Sequence, residues 1–353
     1  MEEAFKEKIN IKNNFSKLIL PVVYNYLEKQ NRIFEFKNKE EIRDKLFDIK
    51  SNSLNQITKL KKKAISNLSK NGVKVFEAKD AKEAKELLLK ITKDDKLIVK
   101  SKTNVGNEIG LKDIFTGKKL LETDIGDFIV SLSNEQDSHP VLPAISMSLE
   151  KIAGIFEEKF GVELPLVPEK IVEFIRDLLR KKIYQADCAI TGANVITSDG
   201  QIVILENEGN ISLISRIPPK HIVLAGFEKI VPNLDDSMHI VKSAAIWGTG
   251  QNFPSYVNII SGPSKTADIQ NQLVSGAQGA KEVYLILLDN GRSELIQKGY
   301  QELLYCINCG ACVNFCPAYH QHGATLGVNY RGINNLIKEA SRTELENVSQ
   351  KAF

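Results

Sequence analysis

Four cysteines fall within eleven residues of this chain, in the run Cys306-Ile-Asn-Cys309-Gly-Ala-Cys312-Val-Asn-Phe-Cys316-Pro317, and they constrain its fold more than any other feature. The spacing C-x2-C-x2-C-x3-C-P is that of a bacterial-ferredoxin cluster loop. Thiolates this close in sequence can wrap one iron–sulfur cubane, because the short connections turn backbone N–H groups inward. Gly310 and Ala311 keep side chains out of the way of that approach, and Pro317 fixes φ as the loop ends. The run predicts one 4Fe-4S cluster on Cys306, Cys309, Cys312 and Cys316, with a 3Fe-4S form left open. Structural zinc sites usually pair two knuckles across a longer insert. Disulfide frameworks belong to small secreted chains, whereas this chain has 353 residues and one further cysteine, Cys188.

The fourth ligand is less determined than the first three. In two-cluster ferredoxins the cysteine before proline serves the other cluster, and this sequence carries a single copy of the run. Cys316 is the expected fourth ligand. Cys188, a partner chain and a non-protein ligand stand as alternatives.

The chain is 42% apolar and 26% charged, which is ordinary for a globular protein of two or three domains. It shows no apolar run of membrane-spanning length and no signal-peptide core in residues 1–10. These features set a cytoplasmic expectation, with peripheral membrane association left open. The first 100 residues hold 24 Lys and Arg against 15 Asp and Glu, while residues 101–353 hold 23 against 29. Such a basic segment could dock on an acidic subunit or an anionic surface; for Lys59 to Lys63 a solvated helix face is the simpler reading. No motif supports nucleic-acid binding.

Periodicity predicts helices over residues 1–70, with apolar stripes at Ile11, Phe15, Leu18 and Ile19 and at Leu54, Ile57, Leu60, Ala64, Ile65 and Leu68. Asn71-Gly72 closes the last of them. Strand, helix, strand follow at 73–76, 81–91 and 96–100, the βαβ pattern of an open α/β sheet. Further strands are expected at 128–132, 186–191, 202–206, 221–225 and 283–288, and a helix at 168–184. The fold class is α/β: an open, mostly parallel sheet flanked by helices. Residues 1–70 form a helical extension, 71–295 the α/β domain, and 296–353 the cluster segment and a polar, helix-like tail.

Ser101-Lys-Thr103 follows a strand and precedes a helix, which suits an anion pocket or a helix cap equally. Thr191 ends another strand. Glu206-Asn-Glu-Gly-Asn210 follows a third, at the edge where α/β sheets bind ligands. Asp289-Asn-Gly-Arg292 follows a fourth. Ser101, Thr103, Thr191, Asn207, Asn210, Asp289 and Arg292 are thus candidate crevice residues, and Lys102, Glu206 and Glu208 candidate catalytic groups. Polar turns tied by their own side chains remain the competing reading. There is no G-x-G-x-x-G fingerprint, Walker loop or Gly-x-Ser-x-Gly elbow, so neither NAD dependence nor an acyl nucleophile is expected. His320 and His322 lie just past the cysteine run and read as surface residues.

The motifs in this order resemble the iron–sulfur LUD-domain proteins of bacterial lactate utilization, the lactate utilization protein B family, over roughly residues 95–330. The resemblance rests on Ser101-Lys-Thr, Leu121-Glu-Thr-Asp-Ile-Gly126, Asp137-Ser-His-Pro140 with Pro143-Ala-Ile145, Ala186-Asp and Ile190-Thr-Gly-Ala-Asn194. It continues through Leu205-Glu-Asn-Glu-Gly-Asn210, Phe227-Glu-Lys-Ile-Val-Pro232, Ser261-Gly-Pro263, Leu288-Asp-Asn-Gly-Arg-Ser293, the cysteine run and residues 323–332. It implies a NagB/RpiA/CoA-transferase-like α/β domain with a ferredoxin-like appendix, working beside other redox subunits in oxidising L-lactate to pyruvate. Members normally carry a second cysteine run, absent from this sequence, so another 2-hydroxy acid or another redox complex stays open. Three functions are expected in descending order. The first is an electron-transfer subunit served by flavin- or iron–sulfur-containing partners. The second is a catalytic subunit whose crevice binds a small hydroxy acid. The third is a scaffold with a structural cluster.

Overall fold

A computed structural model describes residues 14–115, 117–133, 143–144, 147–316 and 319. Residues 1–10, Ile11, the Asp137–Pro140 run, His320, His322 and everything from 320 onward lie outside that set.

The described residues open with three helices, α1 (Asn14–Phe34), α2 (Lys39–Asn55) and α3 (Ile57–Lys70). Gly72, at φ +93°, closes α3, with the Val73 N–H reaching back to the Leu68 carbonyl at 3.0 Å, as a left-handed C-terminal residue allows. Then follow β1 (Lys74–Ala78), α4 (Ala81–Ile91), β2 (Leu97–Lys100), α5 (Asn104–Glu108), α6 (Leu111–Ile114) and β3 (Lys119–Glu122). Three helices come next: α7 (Ile125–Leu132), α8 (Leu149–Phe160) and α9 (Pro168–Tyr184). The remainder runs β4 (Cys188–Gly192), β5 (Val195–Thr197), β6 (Ile202–Glu206), α10 (Asn210–Ile214), β7 (Lys220–Gly226), β8 (Ile230–Val231), α11 (Leu234–Thr249) and β9 (Tyr256–Ile260). It ends with the short pair β10 (Lys265–Thr266) and β11 (Val274–Ser275), then β12 (Glu282–Leu288), α12 (Arg292–Gln297) and α13 (Ala311–Asn314).

Six strands form an all-parallel sheet in the order β1-β12-β7-β4-β2-β3. Being parallel, they deliver the loops after β2, β4, β7 and β12 to one edge. The central strands are buried on both faces, as β12 and β7 are along nearly their whole length, which explains their unbroken apolar runs. One face packs Ile98, Ile190, Leu224 and Ile286 against α4, α5 and α6. The other face packs Val223, Ala225, Leu285 and Leu287 against α3 and a second sheet.

That second sheet, in the order β8-β5-β6-β9, is mixed: β5–β6 and β6–β9 are antiparallel, and β5–β8 is parallel. The turn from 197 to 200, with Gly200 at φ +97°, joins β5 to β6. Alternation divides its residues. Ile196, Ile202 and Ile204 join the core on the main sheet, while Val195, Val203 and Val231 pack with Ile49 of α2 and Ile240 and Val241 of α11. The N-terminal helices therefore extend the α/β core. Lys61 and Lys63 of α3 pair with Glu77 and Asp199, in keeping with a solvated face.

The expected strand at 128–132 is instead the body of α7. Phe128, Ile129 and Val130 are all buried among α8 and α9, and Ser131 is the one polar residue of the run. A short apolar run of that kind has no period to separate helix from strand. Among the described residues no helix is long and apolar enough to cross a membrane.

Candidate functional site

At the C-terminal edge of the parallel sheet lies a cavity of about 1000 Å³. The sheet-edge loops supply Lys102, Asp124, Asn194, Glu206, Glu208 and Asn210 to its lining. Val105, Ile204, Ile211, Leu224 and Ala225 supply its apolar surface, joined by Leu46 of α2 and Trp247 of α11. The C-terminal segment supplies Tyr305, Cys306, Ile307, Cys309 and Cys312. Three of the four clustered cysteines therefore line the crevice to which the sheet-edge motifs also belong.

The cysteine loop bends at two left-handed residues, Asn308 at φ +58° and Gly310 at φ +83°. The first bend brings the Asn308 N–H to the Cys306 sulfur at 3.4 Å, and the Ala311 N–H bonds the Cys309 thiol. Burial pushes that thiol up to about 11. No two of the cysteines form a disulfide. The loop rests on α11 at Gly248, where an added Cβ would lie 2.7 Å from the Cys309 carbonyl oxygen, and the Asn314 amide donates to the Gly248 carbonyl at 3.3 Å. Cys316 does not line the cavity. It is buried beside Ile19 and Val23 of α1, with Val313 and Tyr319. Cys188 is wholly buried in β4 on the sheet face that packs α4 to α6. Among the described residues no three His, Cys, Asp or Glu side chains gather closely enough to hold a single ion.

The two candidate glutamates after β6 have different surroundings. Glu206 is buried and accepts from the Ile211 N–H at 2.6 Å, the Ser212 N–H at 2.8 Å, the Ser212 hydroxyl and the Asn258 amide at 2.7 Å. It holds the start of α10, and its lone pairs are committed. Glu208 accepts one hydrogen bond, from the Ile125 N–H at 3.0 Å. The residue is exposed at the cavity mouth, yet its carboxyl is crowded, and desolvation, opposed by that hydrogen bond and reinforced by Asp124 and Asp127, pushes it up to about 7. Asp124 accepts from the Lys102 N–H at 2.7 Å and is likewise raised, first by burial and then by Asp127. The Lys102 ammonium lies 3.4 Å from Asp127. Glu208 can thus exchange a proton near neutrality, with Asp124 and Lys102 beside it.

The other candidates occupy supporting places. Arg292 lines the cavity, but its guanidinium is taken by Glu108 (2.9 and 3.0 Å), Glu228 (2.6 Å) and the Asp289 carbonyl (2.9 Å). Lys50 of α2 ties the same cluster by donating to the Glu228 carbonyl at 2.5 Å. Asp289 accepts from the Ser293 N–H and hydroxyl. Thr103 caps α5 through the Gly106 N–H at 3.2 Å, and Asn207 accepts from the Ser255 N–H at 2.9 Å. The Asn210 amide donates to the Thr123 hydroxyl at 3.2 Å. Ser101 and Thr191 are wholly buried behind the cavity. Thr191 bonds His221 at 2.8 Å, and burial lowers that histidine to about 4.

Sequence reasoning did not single out Asp124, Glu108, Glu228 or Trp247. For Asp124 a signal existed, since the run from 121 to 126 carries the end of β3, the neighbour of β2. The others become neighbours only through the fold.

Comparison with known proteins gives a consistent picture. The model described as LUD domain matches residues 61–288. The chain is 34% identical over 305 residues to lactate utilization protein B of Bacillus licheniformis, covering 84% of this chain and 62% of that protein. It is 32% identical over 341 residues to lactate utilization protein B of Bacillus subtilis strain 168, covering 94% and 70%. It is 31% identical over 310 residues to the Escherichia coli protein described as uncharacterized electron transport protein YkgF, covering 86% and 64%. The chain spans 50% to 64% of the length of the first curated relatives it matches. A crystal structure of a DUF162 family protein from Deinococcus radiodurans aligns with a TM-score of 0.37 at 13% identity, over 66% of this chain and 98% of that one.

Proposed function

The chain belongs to the LUD domain family and, within it, to the lactate utilization protein B proteins; on that premise we propose that it is an iron–sulfur electron-transfer subunit of an assembly that oxidises L-lactate or a related 2-hydroxy acid. One observation carries this reading: Cys306, Cys309 and Cys312 line the same cavity as Lys102, Glu208 and Asn210. A 4Fe-4S cluster there would supply a one-electron carrier. The residues present suit it at three positions. The thiols of Cys306, Cys309 and Cys312 would bind iron. The N–H groups of Asn308 and Ala311 already address two of the sulfurs, and such hydrogen bonds stabilise charge on cluster ligands. Gly248 removes the side chain that would hold the loop off α11. Cys316, buried toward α1, is turned to different neighbours.

Two-electron oxidation of a hydroxy acid and one-electron transfer need a group that links them. With no nucleotide fingerprint in this sequence, the reading assigns that group to a partner subunit bearing flavin or further clusters. Anaerobic purification of the native assembly, with iron and sulfide counting and EPR, tests the proposal. Protein without iron, and without charge-transfer absorption, would end it.

A second reading is favoured by the environment of Glu208. A carboxyl raised to about 7, beside Lys102 on an open cavity, suits acid–base work on a bound hydroxy acid. Glu206, engaged by four donors, does not fit that role.

A further inference from the structure

We infer that the side-chain amide of Asn308 is a positioning group for the thiol loop: it acts on the Cys306 sulfur as a second donor beside its own backbone N–H, and so raises the reduction potential of the cluster proposed there. The inference rests on the proposed 4Fe-4S cluster and names a residue that tunes it.

The placement begins with the two residues between Cys306 and Cys309. Ile307 packs against the group of Ile49, Val195 and Val203, which fixes the loop on the second sheet. Asn308 then bends the chain at φ +58°, a left-handed conformation that few residues other than Gly, Asn and Asp adopt. The bend directs the Asn308 N–H to the Cys306 sulfur at 3.4 Å. It also leaves the side chain on the same atom, with the Cys306 thiol donating to Asn308 Oδ1 at 3.5 Å. Among the described residues the Asn308 side chain has no other hydrogen-bond partner, and the residue lines the cavity. Cys309 receives the Ala311 N–H, a backbone donor that is independent of the side chain at 311. Asn308 is where a side chain adds to what the backbone supplies.

The state of the sulfur decides which end of the amide faces it. As a thiol, Cys306 donates, and Asn308 presents its carbonyl oxygen. As a thiolate, Cys306 has no proton to give and can only accept. A half-turn of the planar amide about χ2 exchanges Oδ1 for Nδ2 and puts an N–H on the sulfur, with no change in the backbone. Cys306 then accepts from both parts of Asn308. Hydrogen bonds to an ionised acceptor are stronger than those between neutral groups. An added electron increases the negative charge on the sulfurs, so both donors favour the reduced state. Hydrogen bonds to the sulfurs are among the terms that set such potentials.

A redox titration followed by EPR, on anaerobically purified wild type, Asn308→Gly and Asn308→Asp, separates the side chain from the bend. Glycine keeps the left-handed conformation and its N–H and removes the amide. Asn308→Gly is expected to retain its iron and to be about tenfold harder to reduce, a fall of about 59 mV for a one-electron couple. Aspartate also tolerates positive φ and sets a carboxylate where the amide stood. Its potential should fall further, and the extra fall should shrink as salt is raised from about 0.1 M to about 1 M, because an exposed charge is screened. An Asn308→Gly potential equal to wild type would overturn the inference, and so would an Asn308→Asp potential at or above it. Loss of iron from Asn308→Gly would overturn it too, by making Asn308 a residue of loop shape alone. A wild-type protein without iron would instead end the electron-transfer reading on which the inference stands.

Discussion

Gly248 of α11 and Cys309 of the thiol loop stand so close that a single added methyl would lie 2.7 Å from the Cys309 carbonyl oxygen. The α/β domain thereby sets the position of the cysteine loop through backbone packing. Gly248→Ala gains helix propensity, by up to about 1 kcal/mol, but forces the loop outward. Far-UV circular dichroism and melting temperature should stay near wild type while iron retained after anaerobic gel filtration falls. Undiminished iron in a well-folded Gly248→Ala protein would show that the loop is not seated there.

The bidentate Arg292–Glu108 pair, with Glu228 on the third nitrogen, joins the turn after β7 to α5 and α12 in the cavity wall. Arg292→Met would leave two shielded carboxylates without their cation, a change that costs about 3–5 kcal/mol at buried pairs. The expected readout is a large drop in the urea midpoint. A drop of less than a third of that range would mean the cluster is a surface feature.

Glu206→Gln keeps the shape but places an amide among donors that now point at a carboxylate. A loss of about 1–3 kcal/mol is expected from the unsatisfied groups. Hydrogen exchange should quicken first at Ile211 and Ser212. A variant with unchanged stability and lost ligand binding would restore the role of Glu206 as a reacting group.

Glu208 gives a pH signature whose sign follows from its raised carboxyl. Unfolded, the group loses its proton near 4.5; folded, it holds it to about 7. Between those values the folded state binds more protons, so stability falls as pH rises. The groups facing it are Asp124, Asp127 and Lys102. Glu208→Gln should therefore match wild type near pH 4.5 and melt higher than wild type above pH 7. Equal melting curves at both pH values would remove the perturbed carboxyl from the account.

Much of the fold was legible because its signals are local. The helices Ala81–Ile91 and Pro168–Tyr184 follow from apolar spacing with Asp80 and Pro168 at their starts, and the buried parallel strands follow from apolar runs. The run 128–132 misled because five residues with one polar position, Ser131, are too few to show a helical period. The strand at 202–206 was expected, but not its place in a second sheet, because these strands, two to five residues long, read like the rest and declare their sheet only by pairing. At the site, the thiols and the sheet-edge residues were each visible as motifs. Their meeting in one cavity was not, because it depends on α11 carrying Gly248 and Trp247 to a place no local pattern specifies. Glu206 and Glu208 look alike in sequence and diverge only through Ser212 and Asn258 on one side and Ile125 on the other.

The most direct test of the central claim is the EPR spectrum of dithionite-reduced protein purified without oxygen, recorded for wild type and for Cys309→Ser. The account predicts a signal corresponding to one reduced 4Fe-4S cluster per chain in the wild type, and its loss in a Cys309→Ser protein that keeps its circular dichroism spectrum. An iron-free, EPR-silent wild-type protein, or a signal that survives Cys309→Ser unchanged, would contradict it.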